Sequence, residues 1–178
     1  TDLKKEIPFK WRVQSANAYG ASCVAYIDAR QVQDLLDEVC GAENWQCKYE
    51  EHKNNMFCSI GINITNGTGI DINPLWVWKS DCGTESQVEK QKGEASDAFK
   101  RAAVMWGIGR CLYEFPVIKM KLMENEWRED NGKVKVNAWC RPNDLAWKVS
   151  GEIEDLHIQC KQKFSNSWKT RFDNKPNK

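Results

Sequence analysis

The sequence predicts an α+β fold in which an antiparallel sheet of β-hairpins packs on helices. Three observations support this prediction: a run of ten residues that alternates apolar and polar side chains, segments with helical apolar spacing, and Asn-Gly pairs that mark turns. The chain has 178 residues, of which 41% are hydrophobic and 29% are charged. It is therefore long enough to form a domain with its own core.

The first helix is predicted over residues 28–41, which read "DARQVQDLLDEVCG". Asp28 is a candidate N-cap and Gly41 a candidate stop, because these residue types favour the two ends of a helix. We expect the apolar face of this helix to be buried. That face consists of Val32, Leu35, Leu36, Val39 and Cys40.

A β-hairpin is predicted next. Residues 56–65, "MFCSIGINIT", alternate without a break between apolar and polar positions. Asn66-Gly67 supplies a turn, and residues 69–78 return as a second strand, in which Pro74 favours an edge or a bulge. One side of this hairpin is apolar and needs a helix to cover it. A second, shorter hairpin is expected around Asp130–Gly132.

Residues 92–116, "KGEASDAFKRAAVMWGIGRCLYEFP", predict the helix that covers the hairpin. At about 100° per residue, its apolar side chains fall within a narrow arc. Gly107 is expected to end the helix, and we interpret "GIGR" as a chain reversal because no GxxxxGK[ST] phosphate loop is present. The apolar arc consists of Ala95, Phe99, Ala102 and Trp106, flanked by Ala98 and Ala103.

The polar face of this helix carries Lys100 and Arg101, with Asp97 between them. Spacings of three and four residues favour ion pairs, so one interpretation is a solvated, salt-bridged surface. Val104 lies in the middle of the same face, which indicates that something other than water covers part of it. A partner subunit or a ligand would do so, and this helix alone does not decide between the two interpretations.

Enzymatic and metal sites find little support. Eight scattered cysteines form no C-x-x-C pair and only two histidines are present, so we expect no zinc, no cofactor and no catalytic residue. Thiols of this kind, with no signal peptide and no apolar run of membrane-spanning length, predict a cytoplasmic protein without membrane contact. A Mg²⁺-dependent nuclease is kept as an alternative because of four acidic residues, Asp71, Asp81, Glu85 and Glu89.

Nine tryptophans are more than the core of so small a domain needs. Most tryptophans in a chain of this size belong to the core or to a subunit interface. Aromatic residues interleaved with basic ones are also typical of grooves that bind single-stranded nucleic acid, since bases stack on the rings and phosphates pair with the cations. Composition alone leaves both interpretations open.

Residues 96–116, "SDAFKRAAVMWGIGRCLYEFP", closely resemble the signature of the Rad-fifty-two-like single-strand annealing proteins, in particular the Sak-type recombinases of bacteriophages and prophages. Upstream, "CVAYIDARQVQDLLDEVCGAENW" resembles the family's tyrosine-containing strand and the helix that follows it. The likeness covers about residues 8–116, and the order, spacing and type of the elements agree.

The resemblance implies a β-β-β-α core, a closed ring of identical subunits, and single-stranded DNA held in a positively charged groove. The implied function is ATP-independent binding and annealing of complementary strands in homologous recombination, by a phage-encoded protein in the cytoplasm of a bacterial host cell. Expected partners are single-stranded DNA, other copies of the chain, and a host or phage single-strand binding protein or exonuclease. A protein that only coats single strands is the main alternative. Where eukaryotic relatives carry a further arginine, this chain has Val104.

The resemblance also implies which residues contact DNA. The family's Lys-Arg pair corresponds to Lys100 and Arg101, its groove tyrosine to Tyr26, and a basic residue upstream of that strand to Arg12. Tyr26 fits a groove and a core position equally well. Arg110 is a further candidate contact, and capping of the helix end is an equally good interpretation of it.

The expected organisation is an annealing core at residues 1–116, an extension with short strands packed on that core at 117–160, and a basic, disordered tail at 161–178. Charge separates these parts. Residues 1–116 have a formal net charge of −3, whereas residues 117–178 have a formal net charge of +4. The tail has six basic residues and one acidic residue, which indicates either solubility or a nucleic-acid contact.

Overall fold

The computed structural model describes residues 2–65, 73–83, 90–141, 147–150, 156–161 and 167–173. The α-helices are α1 (Ala29–Cys40) and α2 (Lys90–Met105), and short 3-10 helices lie at Asp2–Lys4, Arg110–Tyr113 and Ala138–Cys140. The strands are β1 (Lys10–Asn17), β2 (Gly20–Tyr26), β3 (Trp45–His52), β4 (Asn55–Asn63), β5 (Trp76–Cys82), β6 (Ile118–Lys121), β7 (Trp127–Asp130), β8 (Lys133–Val136), β9 (Trp147–Ser150), β10 (His157–Lys161) and β11 (Trp168–Asp173). The observed strand pairs are antiparallel, which confirms the α+β class.

The chain forms two compact units. Unit 1 comprises the described residues of 1–7 and 27–110, and unit 2 comprises those of 8–26 and 111–178. The expected boundaries at residues 116 and 160 stay a prediction about which segments fold independently. Neither described α-helix combines the length and the apolar character that a membrane span requires.

Unit 1 contains the predicted β-β-β-α order. Strands β3, β4 and β5 form one sheet in that order, and α2 packs on β4 and β5. The alternation along β4 buries Cys58, Ile60 and Ile62. Helix α2 covers them with the predicted stripe, whose small residues let the helix lie close to the sheet. The buried residues of this stripe are Ala98, Phe99, Ala102 and Ala103.

Both predicted ends of α1 are confirmed. The Asp28 carboxylate accepts hydrogen bonds of 3.0 Å from the backbone N–H groups of Arg30 and Gln31, and the Gln31 side chain accepts one from the Asp28 N–H. This is a capping box. Gly41, with φ of 85°, donates its N–H to the Asp37 carbonyl at 3.0 Å and ends the helix.

Helix α2 ends as predicted, at a glycine. Gly107 has φ of 96°, which favours glycine over other residues. Its N–H donates to the Val104 carbonyl at 2.9 Å, and the N–H of Ile108 donates to the Ala103 carbonyl at 3.1 Å. These two bonds make a Schellman motif, so the chain turns away from the helix axis directly after Trp106.

The predicted hairpins are described to different extents. The Asn66-Gly67 turn and the start of its second strand lie outside the described residues. The described strand β5 begins at Trp76, so Pro74 precedes it and removes no hydrogen bond from the ladder. The short hairpin is confirmed: β7 pairs with β8, and Asn131 and Gly132 form the turn with φ of 51° and 71°.

Unit 2 is built from small sheets. One sheet has the order β1-β2-β6, another β11-β10-β9, and β7-β8 form a separate pair. A single core cluster includes side chains from the two three-stranded sheets, among them Trp11, Cys23, Ile118 and Ile158. Burial raises the pKa of Cys23 to about 12, so this thiol is protonated and unreactive at neutral pH.

Strand β11 lies inside residues 161–178, which the sequence predicts to be a disordered tail; residues 162–166 and 174–178 of that tail lie outside the described residues. Strand β11 pairs with β10 at each residue except Arg171, where the register shifts, and Phe172 packs against the core cluster. Arg171 forms an ion pair with Glu126, and both side chains are more than nine-tenths buried. The second Glu126 oxygen accepts the Met123 N–H at 2.9 Å. The order of β11 therefore depends on a few buried side chains, which the polar composition of the segment does not predict.

Candidate nucleic-acid interface

Helix α2 presents the Lys-Arg pair on the side opposite its buried stripe. Lys100 and Arg101 are both half-buried. Arg101 Nε lies 3.6 Å from Asp97 Oδ2, one helical turn earlier, which confirms the expected i,i+4 contact. This contact is the feature on which the salt-bridge interpretation of the face depends. Within the described residues Arg101 Nε makes no hydrogen bond, so the contact is an ion pair alone.

Arg110 acts at the end of α2. Its Nη2 donates to the Val104 carbonyl at 2.8 Å and lies 3.5 Å from the Met105 carbonyl. Lys79 Nζ donates to the same Met105 carbonyl at 3.0 Å and lies 4.4 Å from the centroid of the Trp106 ring. Two cations thus satisfy the last carbonyl groups of the helix, where the negative end of its dipole lies. Of the two interpretations of Arg110, this geometry supports capping.

Tyr26 and Arg12 belong to unit 2, and the structure brings them together. The Arg12 guanidinium lies 5.5 Å from the centroid of the Tyr26 ring, in a cation–π contact across β1 and β2. Arg12 is exposed and Tyr26 is half-buried, so one part of the ring packs and another part is open to a ligand. Lys100, Arg101 and Arg110 belong to unit 1.

The outer face of the β1-β2-β6 sheet is more basic than expected. Lys10 pairs with Tyr26 across the strands, and Lys119 and Lys121 pair with Ser22 and Gly20. Paired residues project to the same side of a sheet, so these lysines share one face with Arg12 and Tyr26. All four cations are exposed, and no acidic residue of these three strands lies on that face. We call this surface the basic face; its residues are Lys10, Arg12, Tyr26, Lys119 and Lys121.

Three of these five residues, Lys10, Lys119 and Lys121, were not predicted from the sequence. Lys119 and Lys121 alternate with the buried residues Ile118 and Met120, which is the period of a half-buried strand. That four-residue pattern was available in the sequence. What it could not reveal is the pairing of β6 with β2, which brings these lysines beside residues about a hundred positions earlier in the chain.

The acids that kept a nuclease as an alternative are only partly described. Asp71, Glu85 and Glu89 lie outside the described residues. Asp81 accepts the backbone N–H of Cys82 at 2.8 Å. In the described part of the chain, no cluster of three or more His, Cys, Asp or Glu side chains is arranged to hold a metal ion. The chemistry that the described surfaces offer is the binding of anions and of flat, aromatic groups.

A family model for the Rad52/22 family of double-strand break repair proteins matches residues 3–131. The chain belongs to the Rad52/22 family. The resemblance drawn from the Lys-Arg segment is thereby confirmed at the level of the family. The part of this Rad52/22 chain that matches the model includes α2 and all strands of the basic face.

Two relatives of this Rad52/22 chain are single-stranded DNA-binding proteins named DdrA. The protein from Deinococcus deserti is 35% identical over 126 residues, which cover 69% of this chain and 57% of the relative. The protein from Deinococcus radiodurans is 36% identical over 127 residues, which cover 65% of this chain and 57% of the relative. The chain thus spans little more than half the length of these relatives. No solved structure matches it.

Proposed function

We propose that this chain binds single-stranded DNA by its backbone and anneals complementary strands without ATP, in recombinational repair. The observation that carries the proposal is the basic face, where four exposed cations share one side of a sheet with a tyrosine, within the segment that matches the Rad52/22 family. The DdrA relatives, which are named as single-stranded DNA-binding proteins, support the binding step.

Annealing requires no bond to be made or broken. A strand must be held by its phosphates while its bases remain accessible, so that a second strand can test pairing. The basic face and the Lys100–Arg101 pair supply cations for phosphates, and the exposed part of Tyr26 supplies a stacking surface. Arg110 is the weakest candidate contact, because its guanidinium already donates to the end of α2.

A closed ring is part of the proposal. Its support is the resemblance, together with the two edge strands that β3 and β5 leave in the described sheet of unit 1. A ring would combine weak contacts from many subunits into tight binding. Native mass spectrometry of the purified chain tests this point, since a single closed species is expected and a monomer would contradict it. Phage origin rests on the likeness to Sak-type recombinases alone.

The first experiment is fluorescence annealing of two complementary oligonucleotides without ATP, over KCl concentrations from about 50 to about 300 mM. We expect acceleration that declines as salt is added. Passive coating, which the names of the DdrA relatives favour, would instead bind the strands and slow their pairing. Failure to bind either strand would overturn both functions. Degradation of the strands in Mg²⁺, stopped by a chelator, would indicate the nuclease.

A further inference from the structure

The positive charge of the chain is concentrated outside the part that matches the family. Residues 132–178 contain 10 lysine and arginine residues and 5 aspartate and glutamate residues. Residues 3–131, which match the Rad52/22 model, contain 16 basic and 19 acidic residues. A polyanion is therefore attracted more strongly to the C-terminal segment than to the matched segment as a whole.

The β9-β10-β11 sheet places one of these lysines, Lys148, on a defined surface. Gln159 of β10 pairs with Lys148 on one side and with Thr170 on the other, so these three side chains project to the same face. Thr170 Oγ1 lies 3.5 Å from His157 Nε2, which places His157 there as well. The opposite face turns Ile158 and Cys160 into the core. We call the first of these surfaces the C-terminal face.

A lysine and a tryptophan lie together on the C-terminal face. Lys148 Nζ is 4.2 Å from the centroid of the Trp168 ring, which is close enough for a cation–π contact. Lys148 is exposed and Trp168 is half-buried. Within the described residues, no acidic side chain forms a salt bridge with Lys148.

The Lys79–Trp106 pair of unit 1 differs from this one, whereas Lys48 and Trp78 of unit 1 also combine an exposed lysine with a half-buried ring, 4.3 Å apart. In unit 1, Trp106 donates its Nε1 proton to the Ile60 carbonyl at 3.1 Å, and Lys79 donates to the end of α2. That pair is part of the packing between helix and sheet. The Lys148 ammonium, by contrast, has the Trp168 ring as its neighbour and is open to an anion.

We infer that the C-terminal face is a second contact surface for the same single-stranded DNA, with Lys148 binding a phosphate and Trp168 stacking against a base. The inference rests on the proposed function. A cation held above an aromatic ring matches the repeat of a single strand, in which phosphates and flat bases alternate. The surface lies beyond residue 131, so it would extend the DNA contact of this chain past the family domain.

The test is fluorescence anisotropy of labelled oligo(dT) with the full chain and three variants, Lys148→Glu, Lys148→Ala and Lys169→Glu. Lys148→Glu is expected to weaken binding about 5-fold at 100 mM KCl, and Lys148→Ala to lower the slope of log K against log salt by about 1. Lys169→Glu is the matched control. It makes the same change in charge on β11, but Lys169 pairs with Cys160 and so lies on the opposite side of the sheet.

Each outcome decides a different point. If wild-type chain binds no oligo(dT), the proposed function and this inference both fail. A second outcome is that wild type binds and that Lys100→Ala with Arg101→Ala weakens binding, whereas Lys148→Glu does not. In that case the proposed function stands, and the C-terminal face is not a DNA surface. Equal losses for Lys148→Glu and Lys169→Glu would show an effect of net charge and would also overturn the inference. Recovery of Trp168 in a peptide crosslinked to DNA by ultraviolet light supports it.

Discussion

The cations on and around α2 in unit 1 and the lysines on the outer sheet faces of unit 2 are held differently. In unit 1, α-helices cover a sheet, and three of its basic side chains have partners in the same chain: Arg101 with Asp97, Arg110 with the Val104 carbonyl, and Lys79 with the Met105 carbonyl. In unit 2, four lysines extend from sheet faces into solvent, whereas Lys135 and Arg171 pair with Asp130 and Glu126. The four lysines are Lys10, Lys119, Lys121 and Lys148.

From this difference we expect the two units to contribute to DNA binding in different ways. A cation that already has a partner is held in place, and it must exchange that partner for a phosphate. An exposed lysine has no partner to lose, but it loses rotamer freedom when it binds. We therefore expect unit 1 to define where the strand lies and unit 2 to contribute most of the salt-dependent attraction.

The largest effect is expected at the buried ion pair that orders the C-terminal strand of unit 2. Arg171→Ala leaves the Glu126 carboxylate buried without its cation, which should cost about 3–5 kcal/mol of unfolding free energy. Urea unfolding measures this loss. Lys135→Ala, which breaks the exposed pair with Asp130, should leave the urea midpoint unchanged. Equal effects of the two variants would show that burial of the Glu126–Arg171 pair contributes nothing.

The next effect concerns the cations that unit 1 holds in place. Lys100→Ala combined with Arg101→Ala should lower the affinity for oligo(dT) about 50-fold or more, equivalent to more than 2 kcal/mol, without changing assembly size. Anisotropy and native mass spectrometry measure the two quantities. Arg30→Ala with Lys53→Ala removes the same charge from exposed positions of unit 1 and should matter little. Normal binding by the first variant would refute the site assignment.

A smaller effect is expected from the exposed lysines of unit 2. Lys119→Ala with Lys121→Ala should weaken oligo(dT) binding about 10-fold at low salt, equivalent to about 1.4 kcal/mol. It should also lower the salt slope by nearly 2, because two phosphate contacts are lost. An unchanged slope would mean that the basic face does not bind phosphates, whatever happens to the affinity itself.

The smallest effect tests the salt-bridge interpretation of α2 directly. Asp97→Asn removes the anion that pairs with Arg101, so oligo(dT) should bind about twice as tightly, while unfolding free energy changes by less than about 1 kcal/mol. Anisotropy and urea unfolding give both values. A clear loss of stability with no gain in affinity would indicate that the contact between Asp97 and Arg101 serves the fold alone.

Local patterns predicted the parts of the fold that depend on neighbours in sequence. The capping box at Asp28, the end of α2 at Gly107, the alternation of β4 and the Asn131-Gly132 turn were all readable, because each depends on residues within one or two turns. Pairings between distant segments could not be predicted from such local patterns. The joining of β2 to β6 and of Glu126 to Arg171 leaves no periodic trace in the sequence.

Prediction of the candidate site had the same limit, because long-range strand pairing brings some of its residues together. Resemblance to a family supplied Lys100, Arg101, Tyr26 and Arg12, and the structure adds the lysines of β6 that share a face with the last two. The role of Arg110 required distances, because a basic residue after a helix fits capping and DNA binding equally well until its donors are located.

The pairing of β2 with β6 also sets an order of events during synthesis. All of residues 27–110 lie between these two strands, so β2 leaves the ribosome long before its partner exists. At about 5–20 residues per second, the wait is roughly 5 to 20 s. Unit 1 can fold in that interval. The β1-β2 hairpin, by contrast, still exposes to solvent the side that carries Trp11 and Cys23. We expect this chain to depend on chaperones for its first hairpin more than for its helices.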